Sequence, residues 1–239
     1  MKGVISVAGS LPRMGTTTLC LQLVKFLKAF GYSACYFDWS SQGHVFAIAA
    51  AAGERTEKNY EHYTYDGIEM YGPREPKDKA ATMKKLTDPK SSTHDYIICD
   101  FGCAQSSSFC QNEYFNSVAQ IMTVGSAPQE LFIARSFLQS NCPYINSIFA
   151  FYLTPHNIEE WVLGQMADKS SQTFFIPNRM YDPLGDYPEL YKGTGFFAKL
   201  MGYIEHKIEN PNSVQESAPK DISEYRKQTI RIVGKDEDQ

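Results

Sequence analysis

Short apolar runs rich in β-branched and aromatic residues recur along this chain, and between them the apolar spacing switches to the three-and-four rhythm of a helix. The runs are Val4 to Ala8, Ala34 to Asp38, Gly67 to Tyr71, Tyr96 to Asp100, Gln120 to Gly125, Ser147 to Leu153 and Thr173 to Ile176. The clearest helical stripe follows the first run. From Thr17 onward, Leu19, Leu23, Phe26, Leu27 and Phe30 share one face, and Gly31 closes the segment as a C-terminal cap. Further helical patterns span Val45 to Ala52, Lys77 to Leu86, Gln129 to Gln139, Asn157 to Ala167 and Gly195 to Ile208. Strand runs about 25–30 residues apart, alternating with helices, are the signature of a sheet covered on both faces. The spacing predicts an α/β fold: a three-layer, mostly parallel twisted sheet with helices on both sides. Ligands of such sheets bind at the carboxyl ends of the strands, so the loops there are the place to seek a site.

Size and charge narrow the function classes. A chain of 239 residues is one large domain or two small ones, and it buries roughly 70–75% of its unfolded surface without needing disulfides or metal. Its 23 basic and 27 acidic residues sum to −4, which gives no electrostatic footprint for coating a phosphate backbone, so no strong nucleic-acid signal is present. The longest apolar run, Val45 to Ala52, falls short of the ~18–20 residues of a membrane span, and Met1 to Ala8 lacks the pattern of a secretory signal. A cytoplasmic protein without a transmembrane segment is expected. Cys20, Cys35, Cys99, Cys103, Cys110 and Cys142 form no CxxC pair and read as reduced thiols. From residue 209 the sequence turns polar. The expected organisation is a domain over 1–208 and a tail over 209–239, with Gln228 to Val233 as a short edge strand.

The first strand runs into Gly9-Ser10-Leu11-Pro12-Arg13-Met14-Gly15-Thr16-Thr17-Thr18 and then the first helix. In the phosphate loop GxxxxGK[ST], backbone N–H groups and the helix N-terminus hold phosphates, the lysine neutralises charge and a hydroxyl reaches Mg²⁺. Gly15 and Thr17 are in place, but Thr16 stands where the lysine belongs. A glycine and a threonine-rich helix start also describe an ordinary cap. Further along, the second strand ends in Asp38-Trp39-Ser40-Ser41-Gln42-Gly43-His44, the Tyr96 run ends in Asp100-Phe101-Gly102, and Thr173 to Ile176 leads into Pro177-Asn178.

Taken in order, these segments resemble the MinD/ParA family of deviant-Walker P-loop ATPases over about residues 2–208. The resemblance implies ATP or ADP with Mg²⁺, a homodimer, and protein partners. It implies a nucleotide site of Gly9, Arg13, Met14, Gly15, Thr16, Thr17 and Thr18, with Asn157, Pro177 and Asn178 in the base-contacting segments. Thr17, Asp38 and Asp100 match the Mg²⁺ positions, and Asp38 is the catalytic candidate. The departures fall on the chemistry. Leu11 and Thr16 replace the family's two lysines, Ser40 replaces the second Asp of DxD, and Pro12 interrupts the Gly-Gly that lets the backbone approach phosphate. Phosphoryl transfer is almost wholly positioning and electrostatics, and each such contact is worth about 3 kcal/mol. Hydrolysis absent or very slow follows.

Met14-Gly15-Thr16-Thr17-Thr18-Leu19 is similar to the lysine-less branch that includes TadZ/CpaE pilus-assembly proteins and the MinD-like protein of cellulose secretion. That branch implies a localisation or assembly scaffold, dimerising and peripheral at the inner face of the membrane through a pilus, secretion or conjugation machine. Two alternatives stay open: a genuine slow ATPase in which Arg13 stands in for the lysine, and a ParA-like DNA-partitioning protein, against which the net charge speaks. The five histidines, His44, His62, His94, His156 and His206, show no metal spacing. The tyrosine-rich stretches Arg55 to Tyr71 and Tyr181 to Tyr191 read as a half-exposed rim and a rigid connection, with a partner surface as the other reading of each. The apolar stripe of the last helix reads as core rather than membrane anchor.

Overall fold

In a computed structural model, residues 1–52, 62–139, 142–178, 180, 182, 185–191 and 195–209 are described. The strands are β1 (Gly3–Gly9), β2 (Ala34–Asp38), β3 (His62–Tyr65), β4 (Ile68–Tyr71), β5 (Tyr96–Cys103), β6 (Ala119–Gly125), β7 (Ile148–Tyr152) and β8 (Thr173–Phe175). The helices are α1 (Thr16–Ala29), α2 (His44–Ala51), α3 (Pro76–Thr87), α4 (Gln111–Phe115), α5 (Pro128–Ser136), α6 (Glu159–Met166) and α7 (Phe196–Glu209). The eight strands form one sheet in the order β3-β4-β2-β5-β1-β6-β7-β8, and every pair but β3/β4 is parallel. This is the three-layer architecture that the alternating pattern predicts.

The period of two along each strand explains the layers. Ile5, Val7, Tyr36, Ile98, Ile121 and Ile148 pack on one face beneath α1 and α7, through Leu19, Leu23, Phe26, Phe197, Leu200 and Ile204. Their strand neighbours Ala8, Phe37, Cys99, Met122, Val124 and Phe149 face the other way, against Leu86 of α3, Tyr114 of α4, Ala134 of α5 and Val162 of α6. Because both faces are covered, the central strands read as continuous apolar runs.

The differences from the sequence reading are local. The run at Gly67 to Tyr71 is the second arm of a hairpin, whose turn residues Asp66 and Gly67 both sit at positive φ (49° and 71°), the two-residue geometry that matches strand twist. Helix α4 has no counterpart in the sequence reading, because five residues are too few to show a helical period. The helix expected from Val45 starts at His44, and the one expected from Asn157 starts as α6 at Glu159. All six cysteines are free thiols, three of them buried. Among the described residues no helix is long and apolar enough to cross a membrane. Residues 210–239, with the expected edge strand at 228–233, residues 55–61 of the first tyrosine-rich stretch, and Tyr181, Pro183 and Leu184 of the second lie outside the described residues. Residues 185–191 of the second tyrosine-rich stretch are fastened to α1: Gln22 donates to the Gly185 carbonyl at 2.8 Å and accepts from the Tyr191 hydroxyl at 2.6 Å.

Helix α7 carries one conspicuous expense. Lys207 points in toward β6, its ammonium donating to the Asn146 carbonyl at 3.1 Å, and burial lowers its pKa to about 8. The unfolded chain keeps this lysine protonated to about pH 10.4, so between those values the unfolded state binds more protons and stability rises with pH. Below pH 8 the full cost of burying the charge is present. Lys207→Met is expected to be more stable than the wild type at pH 7 by about 1–2 kcal/mol, with the gap closing by pH 10; urea denaturation at the two pH values measures it.

Candidate functional site

The parallel register of β2 on β5 sets Tyr36 opposite Ile98 and Asp38 opposite Asp100. All four therefore leave the sheet on one face, the face that α1 covers. Two carboxylates opposite each other on adjacent strands repel, and both are buried, so each must be satisfied within the fold. Asp100 is met at Oδ2 by the Thr17 hydroxyl at 2.6 Å, the Tyr36 hydroxyl at 2.9 Å and His44 Nδ1 at 3.2 Å. At Oδ1 it accepts the Gly102 N–H at 2.9 Å. Burial pushes this carboxyl up, but the bonds from His44, Thr17 and Gly102 outweigh it and hold it below the usual carboxylate range.

Asp38 is used differently. Its Oδ1 accepts the Ser40 N–H at 3.0 Å and the Ser40 hydroxyl at 2.6 Å, and its Oδ2 accepts the His44 N–H at 2.6 Å. It thus caps α2, whose preceding residue Gly43 lies in the left-handed region and offers no side chain for the purpose. Burial and the charge on Asp100 leave Asp38 above its ordinary pKa despite His44, Ser40 and Lys79. Lys79 comes from α3. It is buried, and its ammonium donates to the Trp39 carbonyl at 2.9 Å and to the Ser40 carbonyl. Burial lowers its pKa against the pull of Asp38.

The glycine-containing loop after β1 closes over this cluster. Ser10 N–H bonds the Thr123 carbonyl of β6 at 2.8 Å, and Ala104 N–H bonds the Gly9 carbonyl at 2.8 Å, so the loop is moored to both neighbouring strands. Gly15, at φ +70°, turns the chain into α1, and a Cβ there would lie 2.8 Å from the Tyr152 ring. Around the loop lies an open cleft of about 420 Å³, walled by residues 11–18 with Gln42, His44, Gly102, Cys103 and Tyr152. Gly15 and the first residues of α1, Thr16 to Thr18, line it, and a helix N-terminus at a cleft is the arrangement that receives an anion.

Of the residues singled out from sequence, Arg13, Met14, Gly15, Thr16, Thr17 and Thr18 line the cleft, and Gly9 lies beneath it. Thr16 spends its hydroxyl on Thr123 of β6 at 3.0 Å. Arg13 is exposed, at φ 65°, with no hydrogen bond or ion pair among the described residues. Asp38 and Asp100 are buried behind the cleft wall, where Asp100 meets Thr17 and His44 of the lining. Asn157 is exposed after β7, and Asn178 donates to the Thr154 carbonyl at 3.1 Å; with Pro177 they stand outside the described wall of the cleft. Sequence reasoning missed three residues. His44, just outside the helix expected from Val45, is the first residue of α2 and touches both Thr17, at 3.2 Å, and Asp100. Its position directly after Gln42-Gly43 was the available signal. Tyr36 shares the parity of Asp38, and Lys79 lies on the inward stripe with Met83 and Leu86.

Mg²⁺ demands near-octahedral oxygen ligands at about 2.0–2.1 Å. Thr17, Asp38 and Asp100 do not offer it that geometry here: both Asp38 oxygens are committed to Ser40 and α2, and the Thr17–Asp100 pair is closed by the His44 ring. Among the described residues no group of three or more His, Cys, Asp or Glu is arranged to hold a metal.

No protein-family model and no curated protein matches the sequence. Solved structures do. A plasmid partition protein of Borrelia burgdorferi B31 bound to AMPPNP aligns at TM-score 0.55 and 12% identity, over 85% of this chain and 98% of that one. The MinD cell division protein of Aquifex aeolicus aligns at TM-score 0.55 and 14% identity, over 90% and 98%. The septum site-determining MinD of Pyrococcus horikoshii OT3, complexed with Mg-ADP, aligns at TM-score 0.50 and 13% identity, over 88% and 96%. With its strand order, its glycine-turned loop and its paired strand-end carboxylates, this chain has the fold of the MinD/ParA P-loop ATPases.

Proposed function

We propose that this chain binds a nucleoside phosphate in the cleft at residues 9–18 and acts as a dimerising localisation or assembly scaffold for a membrane-associated machine, with hydrolysis absent or very slow. The observation that carries the reading is how the site spends its polar groups. The phosphate-receiving parts are kept: Gly15 turns the loop, the N-terminus of α1 faces the cleft, and Thr17 meets Asp100 at 2.6 Å. The parts that would act on developing charge are spent inward. Thr16 is bonded to Thr123, Ser40 is bonded to Asp38, and Leu11 stands at the position where the resemblance places a second lysine. AMPPNP in the Borrelia protein and Mg-ADP in the Pyrococcus protein support a nucleotide as the ligand class. The dimer and the pilus, secretion or conjugation machine rest on the resemblance of Met14 to Leu19 to the lysine-less branch.

Arg13 favours a second reading. It is a cation on the cleft wall whose side chain no described residue claims, so it is free to pair with a terminal phosphate as the lysine of an ordinary loop does. A DNA-partitioning role has a structural neighbour in the pNOB8 ParA bound to nonspecific DNA, but the net charge of −4 gives it no support in this chain.

Purified protein with ATP is expected to release no phosphate above the buffer rate, measured by a coupled phosphate assay; turnover at the rate of ordinary family members would sink the scaffold reading. Binding of a fluorescent ADP analogue separates the two readings. Arg13→Ala is expected to leave its affinity within about twofold, whereas a tenfold or greater loss, about 1.4 kcal/mol, establishes Arg13 as the substitute cation. Retention on DNA at low salt would revive the partitioning reading.

A further inference from the structure

We propose that His44 decides which cofactor this site accepts: its imidazole fills the place between Thr17 and Asp100, and the cleft takes its nucleoside phosphate without a divalent cation. The inference rests on the nucleotide reading above and deepens it.

The ring is held from two directions. Its Nδ1 lies 3.2 Å from Thr17 Oγ1, 3.2 Å from Asp100 Oδ2 and 3.4 Å from the Tyr36 hydroxyl. Its own backbone N–H is fixed by Asp38 at 2.6 Å, at the first turn of α2 behind Gly43. Both hydroxyls donate to Asp100, so the consistent assignment has Nδ1–H donating there too. A cation bridging Thr17 and Asp100 would sit about 2 Å from each oxygen, which is where that N–H lies. Nor can Nδ1 itself serve as a ligand while it carries this proton. Asp100 has no capacity to spare: three donors meet Oδ2, and the Gly102 N–H meets Oδ1. The effect is one of space and hydrogen-bond capacity. Phosphate charge is then met by the N–H groups at the start of α1.

The test measures binding of a fluorescent ADP analogue to the full chain in Mg²⁺ and in EDTA, for the wild type, His44→Ala and His44→Gln. The glutamine keeps a donor and most of the volume, and it controls for folding together with circular dichroism. Wild type and His44→Gln are expected to bind equally in both buffers, within about twofold, while His44→Ala gains about tenfold from Mg²⁺. A tenfold gain from Mg²⁺ in the wild type, or none in His44→Ala, overturns the proposal and leaves the nucleotide reading standing. If no variant binds the analogue, the nucleotide reading falls, and Mn²⁺ alone, titrated by electron paramagnetic resonance, decides this one. Mn²⁺ bound about tenfold more tightly by His44→Ala than by the wild type supports it, and equal affinity overturns it.

Discussion

The 2.6 Å bond from Thr17 to Asp100 ties the first turn of α1 to the central strand β5, and the geometry of the site follows from it. A loop that must leave β1, turn at Gly15 and deliver Thr17 above Asp100 has little freedom left. Its backbone is moored on both sides, by Ser10 to β6 and by Gly9 to Ala104. The cleft is what remains open when those three anchors are satisfied.

The bond also exposes an electrostatic problem that the rest of the site is arranged to solve. Asp38 and Asp100 face each other across β2 and β5, both buried, in a region where an unpaired charge would be costly. The solution is asymmetric. Asp100 collects hydroxyls, an imidazole and one N–H and is held below its usual range. Asp38 collects a serine and a helix N-terminus and is held above its usual range. Lys79 crosses from α3 to bind the carbonyls just past Asp38, placing a buried positive charge on the same strand end. Each bond that stabilises these carboxylates in the fold is one that a transferring phosphoryl group or its metal cannot use.

The layers of the fold were legible in the sequence because the central strands are covered on both faces, and Ile97-Ile98-Cys99 or Ile121-Met122 then reads as continuous apolar sequence. The loop was legible because Gly15 and Thr17 have a backbone reason to be where they are. His44, Tyr36 and Lys79 were not, because their roles depend on which strand lies beside which. Tyr36 reaches Asp100 only through the β2/β5 pairing, and Lys79 reaches Ser40 only once α3 has packed beneath β2. The hairpin at Asp66-Gly67 was legible in principle, since Asp-Gly between two short strand-like arms, His62–Tyr65 and Ile68–Tyr71, is a turn signal.

The place of β1 in the sheet governs the order in which the protein can be built. Val4 pairs with Ile97 and Ile5 with Ala119, so the first strand finds its two neighbours only after the chain through β6 has been made. Until β5 is made β1 has two bare edges, and until β6 is made it keeps one, with the loop that follows it lacking the Thr123 anchor. Assembly is governed by contacts distant in sequence, which makes it slow compared with a helical bundle of the same size. A nascent or truncated chain that ends before residue 119 holds every residue of the loop and still has no cleft.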